Sequence, residues 1–141
     1  MIEDWGLTLG GLQIYNLQSA FISTMTPEEL KARTKSFALR VIKLVGALPN
    51  DPATRVIGNQ MLRSATSVGA NYRAACRAQS HAPFAAKLAV VIEEADETLY
   101  WLELLAESGR VKAVLLEDLQ KEASELVAIV TAARKTAQKR G

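Results

Sequence analysis

Apolar side chains recur at intervals of three and four residues through four segments of the chain, which is the spacing of amphipathic helices. In the first segment Leu30, Phe37 and Val41 follow this spacing. The four segments cover approximately residues 26–46, 50–79, 83–109 and 112–138. Short turns between helices of this length favour antiparallel neighbours. The sequence therefore predicts an all-α fold, an antiparallel up-down-up-down four-helix bundle that forms a single domain over residues 26–141.

Short polar sequences mark the predicted helix ends. Thr26 and Glu29 have the spacing of a capping box, with a proline between them at the first helical position. Asp51 followed by Pro52 repeats this type of start for the second helix. Gly109 is expected to end the third helix, because glycine readily takes the left-handed conformation found after a helix.

The first 25 residues differ from the rest, since they contain no Lys or Arg and show no clean helical period. They form a predicted N-terminal extension, and three interpretations are open. The segment is a flexible tail, or it lies upstream of the true start at Met25, or it docks on the bundle through its apolar side chains. Those side chains are Trp5, Leu9, Leu12, Ile14, Tyr15 and Phe21.

The third segment is more apolar than one buried stripe requires. Tyr100, Trp101 and Leu104 lie off its main stripe, and a second apolar face on a helix usually marks an interface. The alternative is one wide stripe shielded by loops or by residues 1–25. We predict that these three residues form an oligomer interface, with the small residues around Gly69 of the second helix as their counterpart.

Charge is distributed unevenly, although the net charge is only +2. Residues 26–79 carry nine basic and three acidic side chains, whereas residues 80–141 carry eight basic and ten acidic ones. A basic surface of this kind suits phosphates of structured RNA or another nucleic acid, and a solvated helix face is the simpler interpretation. The predicted nucleic-acid-binding residues are Lys35, Arg40, Lys43, Arg63, Arg73 and Arg77.

Candidate chemistry is sparse. A dinuclear metal site in a helix bundle uses Glu-x-x-His pairs, but His81 is the only histidine. The acidic cluster around Glu94 and Glu97 is expected to pair with arginines of the second helix, and a small-ligand or metal site there is a weaker alternative. Cys76 is expected to be a small core residue rather than a nucleophile. We therefore predict no enzyme activity, no catalytic residue, no metal and no cofactor.

A lone cysteine suits a reducing compartment, and no apolar run reaches the roughly 20 residues needed to cross a bilayer. The N-terminus also lacks the features of a secretory signal. A cytoplasmic protein that does not enter a membrane is the expectation.

The stretch from Met61 to Leu105 resembles the signature of the four-helix-bundle or 23S rRNA-intervening-sequence protein family, and the resemblance covers roughly residues 26–138. The matching pieces are Arg63-Ser64, Ser67-Val68-Gly69-Ala70-Asn71, Glu94-Ala95-Asp96-Glu97-Thr98 and Tyr100-Trp101-Leu102. The polar residues of this motif are Ser64, Ser67, Asn71, Glu94 and Glu97. The first three share one stripe of the second helix, where they either fix helix register or bind a ligand.

The resemblance implies a four-helix chain assembled into a ring-shaped homo-oligomer, typically a homopentamer. More distantly, it extends to accessory proteins of diversity-generating retroelements, which bind nucleic acid and partner a reverse transcriptase. This chain departs from many members after Asn71, where Tyr72 and Arg73 stand near the place of an acidic residue and a glycine. The sequence thus predicts a non-catalytic homo-oligomeric scaffold or adaptor, with nucleic-acid binding as the alternative.

Overall fold

The computed structural model describes residues 25–140, which form four α-helices and, within that range, no strand. The helices are α1 (Pro27–Gly46), α2 (Pro52–Cys76), α3 (His81–Glu107) and α4 (Ala113–Arg140). This confirms the predicted all-helical fold with four helices. Apart from Met25, the predicted N-terminal extension lies outside the described residues.

Capping side chains start α1 and α2 where the sequence predicted. The Glu29 N–H donates to Thr26 Oγ1 at 3.1 Å, and the Thr26 N–H donates to Glu29 Oε2 at 3.0 Å. At α2 the Thr54 hydroxyl and N–H both donate to the Asp51 carboxylate. These two bonds, supported by Arg110, lower the pKa of Asp51 to about 2.

Turns end α2 and α3 through different backbone geometry. The second helix ends at Cys76, three residues before the predicted Gln79, because the N–H groups of Arg77 and Ala78 bond carbonyls three residues back. At the end of α3, Gly109 has a φ of 74°, which is the left-handed conformation expected of it.

The core is an apolar cluster to which all four helices contribute. Its largest fully buried side chains are Phe37, Val41, Met61, Val68, Leu88, Val91, Leu102, Leu105, Leu116, Leu126 and Val130. The most extensive packing joins α3 to α2 and to α4, whereas α1 packs mainly on α2 and only narrowly on α4. The first helix is therefore the least embedded of the four.

Polar contacts tie each helix to its neighbours at defined positions. Between α2 and α3, Asp51 pairs with Arg110 near one end, and Ser64 meets Thr98 further along. Between α3 and α4, Arg134 Nε donates to the carbonyl of Ala85. These contacts fix how each pair of helices is aligned.

The narrow contact between α1 and α4 contains an ionic cluster. Arg33 donates to both oxygens of Glu122, with Nε 2.9 Å from Oε2 and Nη2 2.6 Å from Oε1, and it also donates to Glu125. All three side chains are largely shielded from solvent. The hydrogen bond to Glu122, followed by the charges of both glutamates, raises the pKa of Arg33, so the guanidinium is held charged.

Candidate functional site

The polar residues of the family motif lie on facing sides of α2 and α3. Arg63 of α2 donates to Glu97 of α3 and lies 3.3 Å from Glu94 Oε2. We call this surface the polar seam, defined by Arg63, Ser64, Ser67, Asn71, Glu94 and Glu97. The ion pairing predicted between arginines of the second helix and the acidic cluster is thus present for Arg63.

The seam is anchored by a buried pair of hydroxyls. Ser64 Oγ lies 2.7 Å from Thr98 Oγ1, and both residues are fully buried. Within their own helices, Ser64 Oγ also donates to the carbonyl of Met61, and Thr98 Oγ1 donates to the carbonyl of Glu94. A buried polar pair with all its partners fixes the alignment of the two helices, because sliding either helix would leave the hydroxyls unsatisfied.

Ser67 and Asn71 bond within α2 rather than across the seam. Ser67 Oγ donates to the carbonyl of Arg63 at 2.8 Å, and Asn71 Nδ2 donates to the carbonyl of Ser67 at 2.8 Å. Of the three residues predicted to form one polar stripe, only Ser64 therefore joins two helices through its side chain.

Glu97 links the seam to the predicted interface residues. The Trp101 indole N–H donates to Glu97 Oε2 at 3.1 Å. This bond, followed by that from Arg63, lowers the pKa of Glu97. Glu94 is more buried than Glu97, and Arg63 Nη1 donates to its Oε1 at 3.4 Å, whereas its Oε2 accepts no hydrogen bond from the described residues.

The outward face of α3 exposes apolar surface. Tyr100 is 52% exposed, whereas Trp101 and Leu104 are half-buried and Trp101 packs against the core. The rings of Tyr100 and Trp101 meet edge to face, with centroids 5.1 Å apart. The structure thus brings the three predicted interface residues to one side of α3, with Tyr100 outermost.

A groove of about 640 Å³ runs between α1 and α2. Its basic side chains are Lys31, Lys35, Arg73 and Arg77, its one acidic side chain is Glu28, and the other lining residues are Ala32, Ala38, Thr66, Gly69 and Ala70. We call it the basic groove. A Cβ on Gly69 would lie 3.3 Å from Thr34 Oγ1, so glycine lets the two helices approach closely here.

The six predicted nucleic-acid-binding residues do not share one surface. Lys35, Arg73 and Arg77 line the basic groove, whereas Arg63 belongs to the polar seam. Arg40 and Lys43 are exposed on α1 but do not line the groove. Half of the predicted set is therefore brought together, and Lys31 joins it.

The part of the chain that the structure describes offers few side chains that could bind a metal or act as a nucleophile. No three metal-ligating side chains gather in residues 25–140, and Glu94 and Glu97 both pair with the guanidinium of Arg63. Cys76 is half-buried against the core. Of the four described helices, none combines the length and the apolar character needed to cross a membrane.

Sequence reasoning assigned no role to three residues that hold neighbouring helices together. Thr98 and Thr34 lie on the buried stripes of their helices, so a hydroxyl at a core position was the available signal for both. Arg33 pairs with glutamates 89 and 92 residues away, and no local pattern reveals such a contact.

The sequence and the fold are similar to those of one protein family. The family described as 23S rRNA-intervening sequence protein matches residues 28–132. A crystal structure from Bacteroides thetaiotaomicron, described as a protein of unknown function from the S23 ribosomal protein family, is 36% identical to this chain. The alignment covers 79% of this chain and 99% of that one, with a TM-score of 0.73. No curated protein matches the sequence.

The chain belongs to the 23S rRNA-intervening sequence protein family. The match spans all of α2 and α3, including the polar seam and the three residues predicted to form an interface.

Proposed function

We propose that this protein is a non-catalytic scaffold or adaptor that works as a homo-oligomer, held together through the outward face of α3. The observation that carries the proposal is the exposure of Tyr100 beside Leu104 on a helix that already packs against α2 and α4. Apolar surface of this kind, rimmed by charge, is typical of an interface. The cytoplasm is the proposed location, since the chain has a single cysteine.

The proposed subunit is an up-down-up-down bundle in which neighbouring helices are antiparallel. Copies of this subunit assemble into a closed ring. The aligned pairs Asp51–Arg110 and Ser64–Thr98 support opposite directions for α2 and α3. Most homo-oligomers have closed symmetry, and the resemblance to the family implies five copies. Residues 26–141 would form the subunit, with residues 1–25 as an extension.

The interface proposal predicts that Tyr100→Asp combined with Leu104→Asp converts the oligomer to monomer while leaving the helical content unchanged. A carboxylate at each position would be desolvated against the neighbouring copy, which is costly. Light scattering measures the mass, and circular dichroism measures the fold. Tyr100 is the better site for this test than Trp101, because Trp101 also packs on the core of its own chain.

The matched control is Val114→Asp, which places a carboxylate on a 66% exposed apolar residue in the first turn of α4. Acidic residues are tolerated at a helix start, so this variant should keep the mass of the wild type. An unchanged mass in the Tyr100/Leu104 variant would mean that the copies meet elsewhere.

A second candidate function is the binding of structured RNA or another nucleic acid in the basic groove. The observation that favours it is the convergence of Lys31, Lys35, Arg73 and Arg77 on one open surface. Such side chains bind phosphates and release counterions, so affinity would fall steeply with salt.

This candidate predicts that Arg73→Ala with Arg77→Ala weakens RNA binding at least 10-fold at low salt and flattens its salt dependence. Fluorescence anisotropy with a labelled structured RNA makes the measurement. Arg40→Ala with Lys43→Ala removes the same charge from outside the groove and should bind like the wild type. Equal losses in both variants would indicate a diffuse charge effect instead.

A further inference from the structure

The helix that carries the proposed interface is strongly acidic on its outside. It contains six carboxylates and one lysine, a net of −5 with His81 neutral. Glu93, Asp96 and Glu107 are exposed, and within residues 25–140 none of them forms an ion pair. Together with Tyr100 and Leu104 these three carboxylates define what we call the acidic ridge.

The charge of this helix is neutralised only in part inside the subunit, where Arg63 pairs with Glu94 and Glu97. Burial, followed by the charges of Glu107 and Asp96, raises the pKa of Glu103. A cationic partner placed along the ridge would remove this repulsion, and no such partner lies on the described part of the same chain.

The basic groove carries charge of the opposite sign, and most of its cations are also unpaired within the described residues. Within residues 25–140, Lys35, Arg73 and Arg77 form no ion pair, and Lys31 pairs only with the exposed Glu28 in the preceding turn. The same groove is lined by the small residues Ala32, Ala38, Gly69 and Ala70. A groove lined by both cations and small residues suits a helix that presents carboxylates and apolar side chains on one face.

The charged residues of the ridge and those of the groove are spaced at similar intervals along their helices. Lys31 and Lys35, like Arg73 and Arg77, are four residues apart, and Glu93 and Asp96 are three apart. Helical residues three or four apart lie roughly 5–6 Å from each other on one face. The cations and carboxylates therefore repeat at similar intervals along their helices.

We propose that the acidic ridge of one copy docks in the basic groove of the next copy, so that the subunits associate head to tail. Tyr100 and Leu104 pack on the small residues of the groove, and Glu93 and Asp96 pair with its cations. Because ridge and groove are different surfaces of one chain, each copy offers both, and association repeats until a ring closes. This inference rests on the proposed function and adds the receiving surface to it.

A charge exchange between the two surfaces tests the pairing. The groove variant is Arg73→Glu with Arg77→Glu, and the ridge variant is Glu93→Lys with Asp96→Lys. Either variant alone sets like charges against each other, so self-association should weaken roughly 100-fold or more. The full chain, untagged, is measured by light scattering over a dilution series in nuclease-treated samples.

Rescue is the decisive result. A chain carrying all four substitutions restores opposite charges at every contact and should assemble alone to the wild-type mass. An equimolar mixture of the two variants restores opposite charges wherever the variants alternate, so its mass should exceed that of either variant alone. Val114→Asp again serves as a control for charge change elsewhere. Circular dichroism verifies that each variant is folded, and the rescued variants prove that the substitutions are compatible with the fold.

Other results would overturn the pairing. If both variants keep the wild-type mass, or if both lose assembly without rescue, the ridge does not meet the groove. If the groove variant keeps its mass but loses affinity for the labelled structured RNA in the anisotropy measurement, the groove binds nucleic acid instead. A monomeric wild type would overturn the proposed function as well, and the wild-type mass distinguishes that case from failure of the pairing alone.

Discussion

Phe37→Ala is expected to lower the free energy of unfolding by about 3–5 kcal/mol, which is the usual cost of truncating a buried aromatic side chain. Phe37 is fully buried in the core cluster, so the truncation removes apolar contacts and leaves a cavity. A domain of this size is stabilised by only about 5–15 kcal/mol. Urea unfolding followed by circular dichroism makes the measurement.

The control for Phe37→Ala is the truncation of an exposed apolar side chain on the same helix. Leu39 is 57% exposed, so Leu39→Ala should change the free energy of unfolding by no more than about 0.5 kcal/mol. Phe37 belongs to the helix that forms one wall of the basic groove, so its loss should also weaken whatever the groove binds. A cost below about 1 kcal/mol at Phe37 would contradict the packing described for α1.

Arg33→Ala is expected to destabilise the fold by about 2 kcal/mol, because it leaves Glu122 and Glu125 close together without their cation. Breaking a fully buried ion pair costs about 3–5 kcal/mol, and partial solvent access to these side chains reduces that figure. The loss should concentrate in α1, which has little other contact with α4. Amide hydrogen exchange measures it as faster exchange along residues 27–46.

A variant that replaces the whole cluster separates charge from packing. Arg33→Met with Glu122→Leu and Glu125→Leu removes every charge and keeps the volume, so its stability should lie within about 1 kcal/mol of the wild type. If Arg33→Ala left the exchange of α1 unchanged, α1 would be held by its contact with α2 alone.

Local sequence signals account for the four helices and for several of their ends, although α3 begins at His81, two residues before the predicted start. The three- and four-residue spacing of core residues such as Phe37 and Met61 needs no knowledge of the fold, and neither do the caps at Thr26 and Asp51. The end of α2 at Cys76 was missed because the tight turn after it has no distinctive residue type. Helix boundaries of this kind depend on backbone hydrogen bonds rather than on composition.

The surfaces could be predicted only in part, because charge content does not reveal rotation about a helix axis. Lys35 and Arg40 lie about 140° apart around their helix, so only Lys35 reaches the basic groove. Arg63 was grouped with Arg73, yet the two lie about 80° apart around α2, so Arg63 contacts α3 whereas Arg73 lines the groove beside α1. The family motif did identify the residues of the polar seam. It also contains Thr98, but nothing in the sequence showed that Thr98 is the partner of Ser64.

Membership of a family supplies the fold, whereas function depends on what the surfaces bind. The acidic ridge and the basic groove are surfaces of opposite charge on the described part of the chain. Under the proposed account they satisfy each other between copies, which explains why neither finds its counterions within the subunit. A nucleic acid in the groove would instead leave the ridge without a partner.

The most direct test of the central claim is the mass of the untagged, full-length protein in solution. Light scattering at low salt, with the 260/280 nm absorbance ratio recorded across the same peak, makes this measurement. The account predicts a mass several times the 15.3 kDa of one chain, free of nucleic acid and stable to dilution. A peak at 15.3 kDa over the same concentrations would contradict it.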